Sequence, residues 1–292
     1  MPLWTDIAGS ITRSSGQAFA IEDRQAIGGG CINTAYRVGN GGRVFFVKTN
    51  APQNHDMFAA EAAGLREIAH SGTMRVPQPV CDGCNDEASW LVLEYIEFGG
   101  GGNGRALGER LAAMHRVTAA GFGWQRDNTI GATPQINAWC DDWLEFWRRH
   151  RLGFQLRLAA ENGAPRRMVE RGERLLADCA PLLAGREIAP SLLHGDLWGG
   201  NTAVDTHGDP VLFDPAVYYG DREADLAMTE LFGGFGRDFY AAYDAAYPRA
   251  PGYPARRTFY NLYHVLNHFN LFGGGYAQQA AAMIEASLAE LR

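Results

Sequence analysis

Lysine is all but missing from this 292-residue sequence: of 26 basic residues, Lys48 alone is a lysine and the other 25 are arginine. A GC-rich genome drifts to arginine wherever charge alone matters. A single surviving lysine therefore marks a place where a compact ammonium serves and a planar guanidinium does not. No basic block occurs, and the 33 acidic residues leave a net charge of −7. That balance excludes a protein that wraps nucleic acid, so no nucleic-acid partner is expected. No apolar run approaches the roughly 18 residues of a membrane span, so no membrane partner is expected either. The opening MPLWTDIAGS has no charged region followed by an apolar stretch, and no signal peptide is expected. The cysteines are odd in number, at 31, 81, 84, 140 and 179, which fits a reducing cytoplasm better than a disulfide framework. There is no G-x-x-x-x-G-K-[ST] segment, which excludes a P-loop NTPase.

What is present is a chain long and apolar enough, at 46% hydrophobic residues, to bury a full core. Its length implies about two domains or lobes. Residues 1–24 carry weak helix signals and read as a leader. AIGGGCINTAYRV reads as one strand with a glycine-rich opening, NGG at 40–42 as a hairpin turn and RVFFVKT as the return strand. Val44, Phe46 and Lys48 then share one face. Residues 56–70 read as a helix with Phe58, Leu65 and Ile68 as its inward stripe. Glu61 falls on that apolar stripe, and a carboxylate there needs a partner. VPQPVCDGC and SWLVLEYIE read as two more strands. The expected first domain is therefore 1–96, strand-rich with one helix. The glycine run in FGGGGNG (98–104) marks the boundary to a mainly helical second domain, 97–292. Helical patterns cover ALGERLAAMHRV, 165–184, 224–246 and 259–290. Trp139, Trp143 and Trp147, at i+4 steps, read as a buried helical stripe.

A strand–loop–strand segment interrupts the helices at 191–214. HGD at 194–196 is followed five residues after Asp196 by Asn201, and thirteen residues later by Asp214 at the end of Val211-Leu212-Phe213. THGD (206–209) reads as a turn joining two short strands, which sets Asn201 and Asp214 at neighbouring ends of a hairpin. Asp and Asn favour turns in any case, so each residue alone carries little. Together with Lys48 and Glu61 they match the needs of phosphoryl transfer: a carboxylate to take a hydroxyl proton, a carboxylate and an amide oxygen to hold Mg²⁺, and a lysine with a glycine-rich backbone to fix a triphosphate. Asp196 suits the base, Asn201 and Asp214 the metal, Lys48 the phosphates and Glu61 the orientation of Lys48.

The order of these parts resembles the protein-kinase-like fold: glycine-rich strand, strand lysine, helix glutamate, H-x-D-x-x-x-x-N and a later aspartate. HGD and DPA are similar to the small-molecule branch that contains aminoglycoside and choline kinases. HGDLWGGN, YYGDREADLAM, DNTIGATPQINAW and NHFNLFGGGY resemble more narrowly the fructosamine (ketosamine) 3-kinase family, over about Gly28 to Tyr276. GGGCINT departs from the protein-kinase G-x-G-x-x-G spacing. The resemblance implies an α+β, two-lobed protein-kinase-like fold, with a small antiparallel-sheet lobe and a larger helical one. It implies ATP and Mg²⁺ as cofactors, Asp196 as catalytic base, and Asn201 and Asp214 as metal ligands. Gly28, Gly29, Gly30, Cys31 and Asn33 then line the phosphates with Lys48 and Glu61, and Glu94 and Ile96 offer backbone groups to adenine. Asp225 braces the catalytic loop by accepting its amides. The implied reaction is phosphorylation of the 3-hydroxyl of a free or protein-bound ketosamine, whose unstable product releases the amine and so repairs glycation.

Several residues carry competing readings. His194 reads as a neutral histidine bonding the loop backbone, or as a metal ligand of a hydrolase. Cys81 and Cys84 read as a strand-end turn, zinc needing about four ligands. His115 reads as a buried, satisfied histidine. His264 and His268 lie one turn apart, and His268, with Phe272, is a candidate substrate contact. Trp198, two residues after Asp196, is a candidate stacking face for a sugar. Asp221 and Glu223 read as an acidic rim, with Asp221 a candidate for a cationic acceptor. A different acceptor, such as an aminoglycoside or a methylthio-sugar, and a nucleotide-binding scaffold are the alternatives. The chain is expected to be a monomer, with a redox-linked dimer through Cys31 as a regulatory variant.

Overall fold

The β-branched and aromatic run Val44–Asn50 forms the middle strand of an antiparallel sheet. A computed structural model of the chain describes residues 2–28 and 32–292. Gly29, Gly30 and Cys31, and with them the phosphate contacts and the redox link expected there, lie outside the described residues. The chain divides into two units, Met1–Asn103 with Thr202–Pro215, and Gly104–Asn201 with Ala216–Arg292. The first unit thus runs beyond the expected limit at residue 96 and takes in a later segment.

In the first unit, helix α1 (Pro2–Ser15) precedes strands β1 (Asp23–Ile27), β2 (Thr34–Gly39) and β3 (Val44–Asn50). Helix α2 (His55–His70) and strands β4 (Pro79–Cys84) and β5 (Ser89–Glu94) follow. The sheet order is β1-β2-β3-β5-β4. Residues 26–38 are therefore two strands, not one. α1 corrects the expectation of a leader: Ile7 and Ile11 are fully buried against Val38, Val47, Trp90 and Val92 of the sheet. Alternation along β3 turns Val47 to α1 and Lys48 to the opposite face. On α2, Phe58, Leu65 and Ile68 are all fully buried. The turn between β2 and β3 closes through Asn40, whose side chain accepts the Arg43 amide at 3.1 Å.

Thr202–Val204 and Pro210–Leu212 pair as a hairpin in register Val211↔Ala203. Its turn is held by Asp205, whose Oδ1 accepts the amides of His207 at 2.9 Å and Asp209 at 3.0 Å. The Leu212 amide donates to the Arg75 carbonyl at 3.0 Å and Gly99 to that of Val204 at 2.8 Å, which ties the hairpin into the first unit.

The second unit is mainly helical, with helices Gly104–Met114, Gly153–Glu161, Arg166–Asp178, Glu223–Thr229, Arg237–Ala246, Tyr253–Phe272 and Tyr276–Ala289. The helix expected over 224–246 is broken at Gly233 and Gly234, and that over 259–290 at Gly273 and Gly274, all four with positive φ. Trp143 and Trp147 are buried, but Trp139 precedes the helical stretch that begins at Trp143, is 52% exposed and stacks on Tyr219. The stripe is thus two residues long.

Candidate active site

In the first unit the buried ammonium of Lys48, 5% exposed, donates to Glu61 Oε1 and to Asp214 Oδ1, both at 2.6 Å. β3 supplies the lysine and α2 the glutamate, so the carboxylate on the apolar stripe has its partner. Burial alone would lower the Lys48 pKa, but the charges of Asp214 and Glu61 outweigh it and raise it above the ordinary lysine range. Burial pushes the Glu61 carboxyl up, with Lys48 pulling against it, so its charge depends on the lysine. Asp214 is the one non-glycine residue with positive φ among the described residues, at 57°. A backbone held in that region is a common mark of a functional residue.

Asn33 stands at the entry to β2, where its Oδ1 accepts from Asn50 Nδ2 at 2.7 Å. Gly28 follows β1 directly. The Glu94 amide is already bonded to the Gln78 carbonyl at 2.8 Å, and its carboxylate grips Arg75 at 2.9 and 2.5 Å. Of the backbone groups expected to meet adenine there, the Glu94 N–H is therefore taken. Ile96 lies half-buried beyond the strand.

In the second unit, Ser191–Leu193 pairs with Tyr218–Gly220 and delivers the HGD turn. Gly195 has φ +82°, and a Cβ there would lie 2.0 Å from the Ala216 carbonyl, so only glycine fits. Asp225 accepts the backbone amides of His194 at 2.7 Å and Gly195 at 2.9 Å. His115, fully buried, bridges Asp225 Oδ2 at 3.2 Å and the Tyr243 hydroxyl at 2.7 Å. Because the carboxylate can only accept, His115 carries its proton on Nε2. Burial lowers the His115 pKa and keeps the ring neutral. Burial would raise the Asp225 pKa, but His115 and the loop amides hold it below the usual carboxylate range. His194 Nδ1 accepts the Asp196 amide at 3.3 Å, which is a backbone-bonding role. Asn201, 6% exposed, donates from Nδ2 to the Asp196 carbonyl at 2.7 Å and to its Oδ2 at 3.1 Å. Both amide protons are thereby engaged, and Oδ1 is the atom left for a cation.

Trp198, 38% exposed, meets Phe232 edge-on. Phe232 packs on His268, which packs in turn on Phe272 and Tyr276. Three expected substrate residues thus belong to one aromatic surface, joined through Phe232 and extended by Tyr276. The sequence signal for those two is an aromatic set against a glycine pair or triplet. Asp221 does not lie on a rim. It is 1% exposed, forms an ion pair with Arg186 and accepts from the Tyr260 hydroxyl and, at 3.0 Å, from the Glu223 amide. Glu223 is fully buried against Arg256 at 2.6 Å. The expected acidic rim is a buried ionic cluster, because the arginines that neutralise it are distant in sequence.

A sheet whose middle strand offers a lysine clasped by a helix glutamate, with a helical unit carrying a braced H-x-D-x-x-x-x-N loop, defines the two-lobed protein-kinase-like fold. The sequence model of the fructosamine kinase family matches residues 3–290, and the chain belongs to that family. A Synechocystis protein assigned as a ketoamine kinase is 50% identical over 98% of this chain and 97% of its own. The chloroplastic protein-ribulosamine 3-kinase of Arabidopsis thaliana is 45% identical over 96% of this chain and 86% of its own. The crystal structure of a Haemophilus somnus protein assigned to the fructosamine-3-kinases superposes with a TM-score of 0.90 at 27% identity, over 98% of this chain and 99% of the other.

Proposed function

We propose that the protein transfers the γ-phosphoryl group of ATP to the 3-hydroxyl of a ketosamine, of the ribulosamine or fructosamine type, in the cytoplasm. The product ester is unstable and frees the amine, so the activity repairs glycated amines. The observation that carries the reading is the Asp196–Asn201 bond beside the Asp225-braced loop, together with the Lys48–Glu61–Asp214 cluster.

Asp196 accepts the proton of the attacking 3-hydroxyl as that oxygen bonds to phosphorus and ADP leaves. The Asn201 bond to Oδ2 orients that carboxylate. Lys48 carries a permanent charge for the phosphates, and Glu61 keeps its ammonium in place. Asn201 Oδ1 and the Asp214 carboxylate are hard oxygen donors of the kind Mg²⁺ takes, and both would hold it. When bound, the ion neutralises phosphate charge. The aromatic surface around Trp198 suits the apolar face of a sugar or of the amine it is attached to.

The test locates the phosphate. Phosphorus NMR of a ribulosamine incubated with enzyme and Mg-ATP should show an ester on O3, and Asp196→Asn should not form it. An ester on another hydroxyl would refute the regiochemistry, and none at all the reading.

A further inference from the structure

The segment DNTIGATPQIN has no role in the site described so far, yet it is built from buried amides. Its strands Asn128–Ile130 and Thr133–Gln135 pair with Asn128 opposite Gln135. Gln135 is 1% exposed and Asn137 fully buried. Gln135 Nε2 donates to the Ala216 carbonyl at 3.0 Å and to Asn128 Oδ1 at 2.8 Å. Asn128 Nδ2 donates to the Val217 carbonyl at 2.8 Å. Asn137 Nδ2 donates to Asn128 Oδ1 at 2.9 Å, and its own Oδ1 accepts from Arg151 at 2.6 Å. Tyr263 donates to Gln135 Oε1 at 2.8 Å.

The direction of these bonds is forced. Arginine has only donors, so Asn137 must turn its oxygen to Arg151 and its NH₂ to Asn128. Asn128 must then accept there and donate to Val217. Arg151 is held in place by the Ile136 carbonyl at 2.7 Å and the rings of Phe146 and Tyr218. Two successive carbonyls, of Ala216 and Val217, are thus gripped by an amide pair with one allowed orientation. Ala216 is also where the catalytic loop rests: its amide donates to the His194 carbonyl at 2.8 Å, and its carbonyl leaves room only for the glycine at 195. Along the chain it stands two residues after Asp214.

We infer that Gln135 and Asn128 are positioning residues for phosphoryl transfer. By fixing Ala216 and Val217 they set the backbone on which the His194–Asp196 loop rests and from which the chain leads back to Asp214. This rests on the catalytic assignment of Asp196 proposed above. A misplacement of about 1 Å at a reacting group costs on the order of 10²-fold in rate.

The test compares three variants with the parent: Gln135→Met, which keeps length and loses the donor; Tyr263→Phe, which removes only the hydroxyl that fixes Gln135; and Ile130→Val, which trims the same hairpin without touching the network. Turnover per active site with a ribulosamine should fall about 10–100-fold in Gln135→Met and about 3–10-fold in Tyr263→Phe, with KM values within about threefold. Ile130→Val should lower the melting temperature and keep the parent's turnover. Amide exchange at Gly195 and Ala216 should quicken at least about tenfold in Gln135→Met and not in Ile130→Val. Turnover within twofold of the parent in both network variants, or unchanged exchange, overturns the clamp. A parent that phosphorylates no ketosamine would refute the functional reading instead, and the exchange measurement would still decide the clamp.

Discussion

Replacing Lys48 by methionine isolates the electrostatics of the nucleotide cluster. The Glu61 side chain is 11% exposed and has Lys48 at 2.6 Å. Without the ammonium the buried carboxylate must take up a proton to remain where it is. From an ordinary glutamate pKa near 4.3, at 1.36 kcal/mol per pH unit, that costs roughly 3–4 kcal/mol at pH 7 and roughly 1.5 kcal/mol at pH 5.5. The sign follows from proton uptake. In the variant, burial raises the folded-state pKa of Glu61, so the folded protein binds more protons than the unfolded one. Its stability therefore declines as pH rises above about 4.3 and is least impaired in acid. The parent behaves otherwise on the lysine side: because the Lys48 pKa is raised on folding, its contribution is full below the ordinary lysine pKa of about 10.4 and is lost as pH rises from there through the folded-state value. The assay is urea unfolding at pH 5.5 and 7, read from amide exchange in β3. The double variant Lys48→Met/Glu61→Gln should recover most of the loss and abolish its pH dependence. Equal losses at the two pH values, or a double variant no more stable than the single one, would refute the reasoning.

Three further substitutions separate roles in steady-state kinetics and melting. Asp196→Asn should lower kcat by about 10²–10⁴ with nucleotide affinity little changed, whereas Asp214→Asn should also raise the KM for Mg-ATP. Retention of activity within a few-fold in Asp196→Asn would remove it as the base. Asp221→Asn, which breaks the buried pair with Arg186, should cost about 3 kcal/mol and lower the melting temperature by roughly 6–12 °C, with the ketosamine KM within about twofold. A tenfold rise in KM at unchanged stability would instead make Asp221 a substrate contact.

What was legible in the sequence was local. The period of β3 and α2 placed Lys48 and Glu61 on facing surfaces, and the THGD turn, closed by the Asp209 amide donating to the preceding Asp205, announced the hairpin. The motif spacing around Asp196 carried the family. What was not legible depends on partners far along the chain. Asp221 and Glu223 read as solvated because Arg186 and Arg256 lie 35 and 33 residues away respectively. α1 read as a leader because its core-facing isoleucines, Ile7 and Ile11, are flanked by small and polar residues, and only the sheet shows what they bury against. Phe232 and Tyr276 became part of a surface only once the helix Tyr253–Phe272 brought His268 between them.

The acceptor defines the enzyme. Initial rates of ADP formation should be measured side by side with a ribulosamine, a fructosamine and an aminoglycoside, at equal concentration with Mg-ATP. Turnover with the ketosamines, loss of the signal in Asp196→Asn and background rates with the aminoglycoside are expected. Turnover of the aminoglycoside with neither ketosamine consumed would contradict the ketosamine assignment.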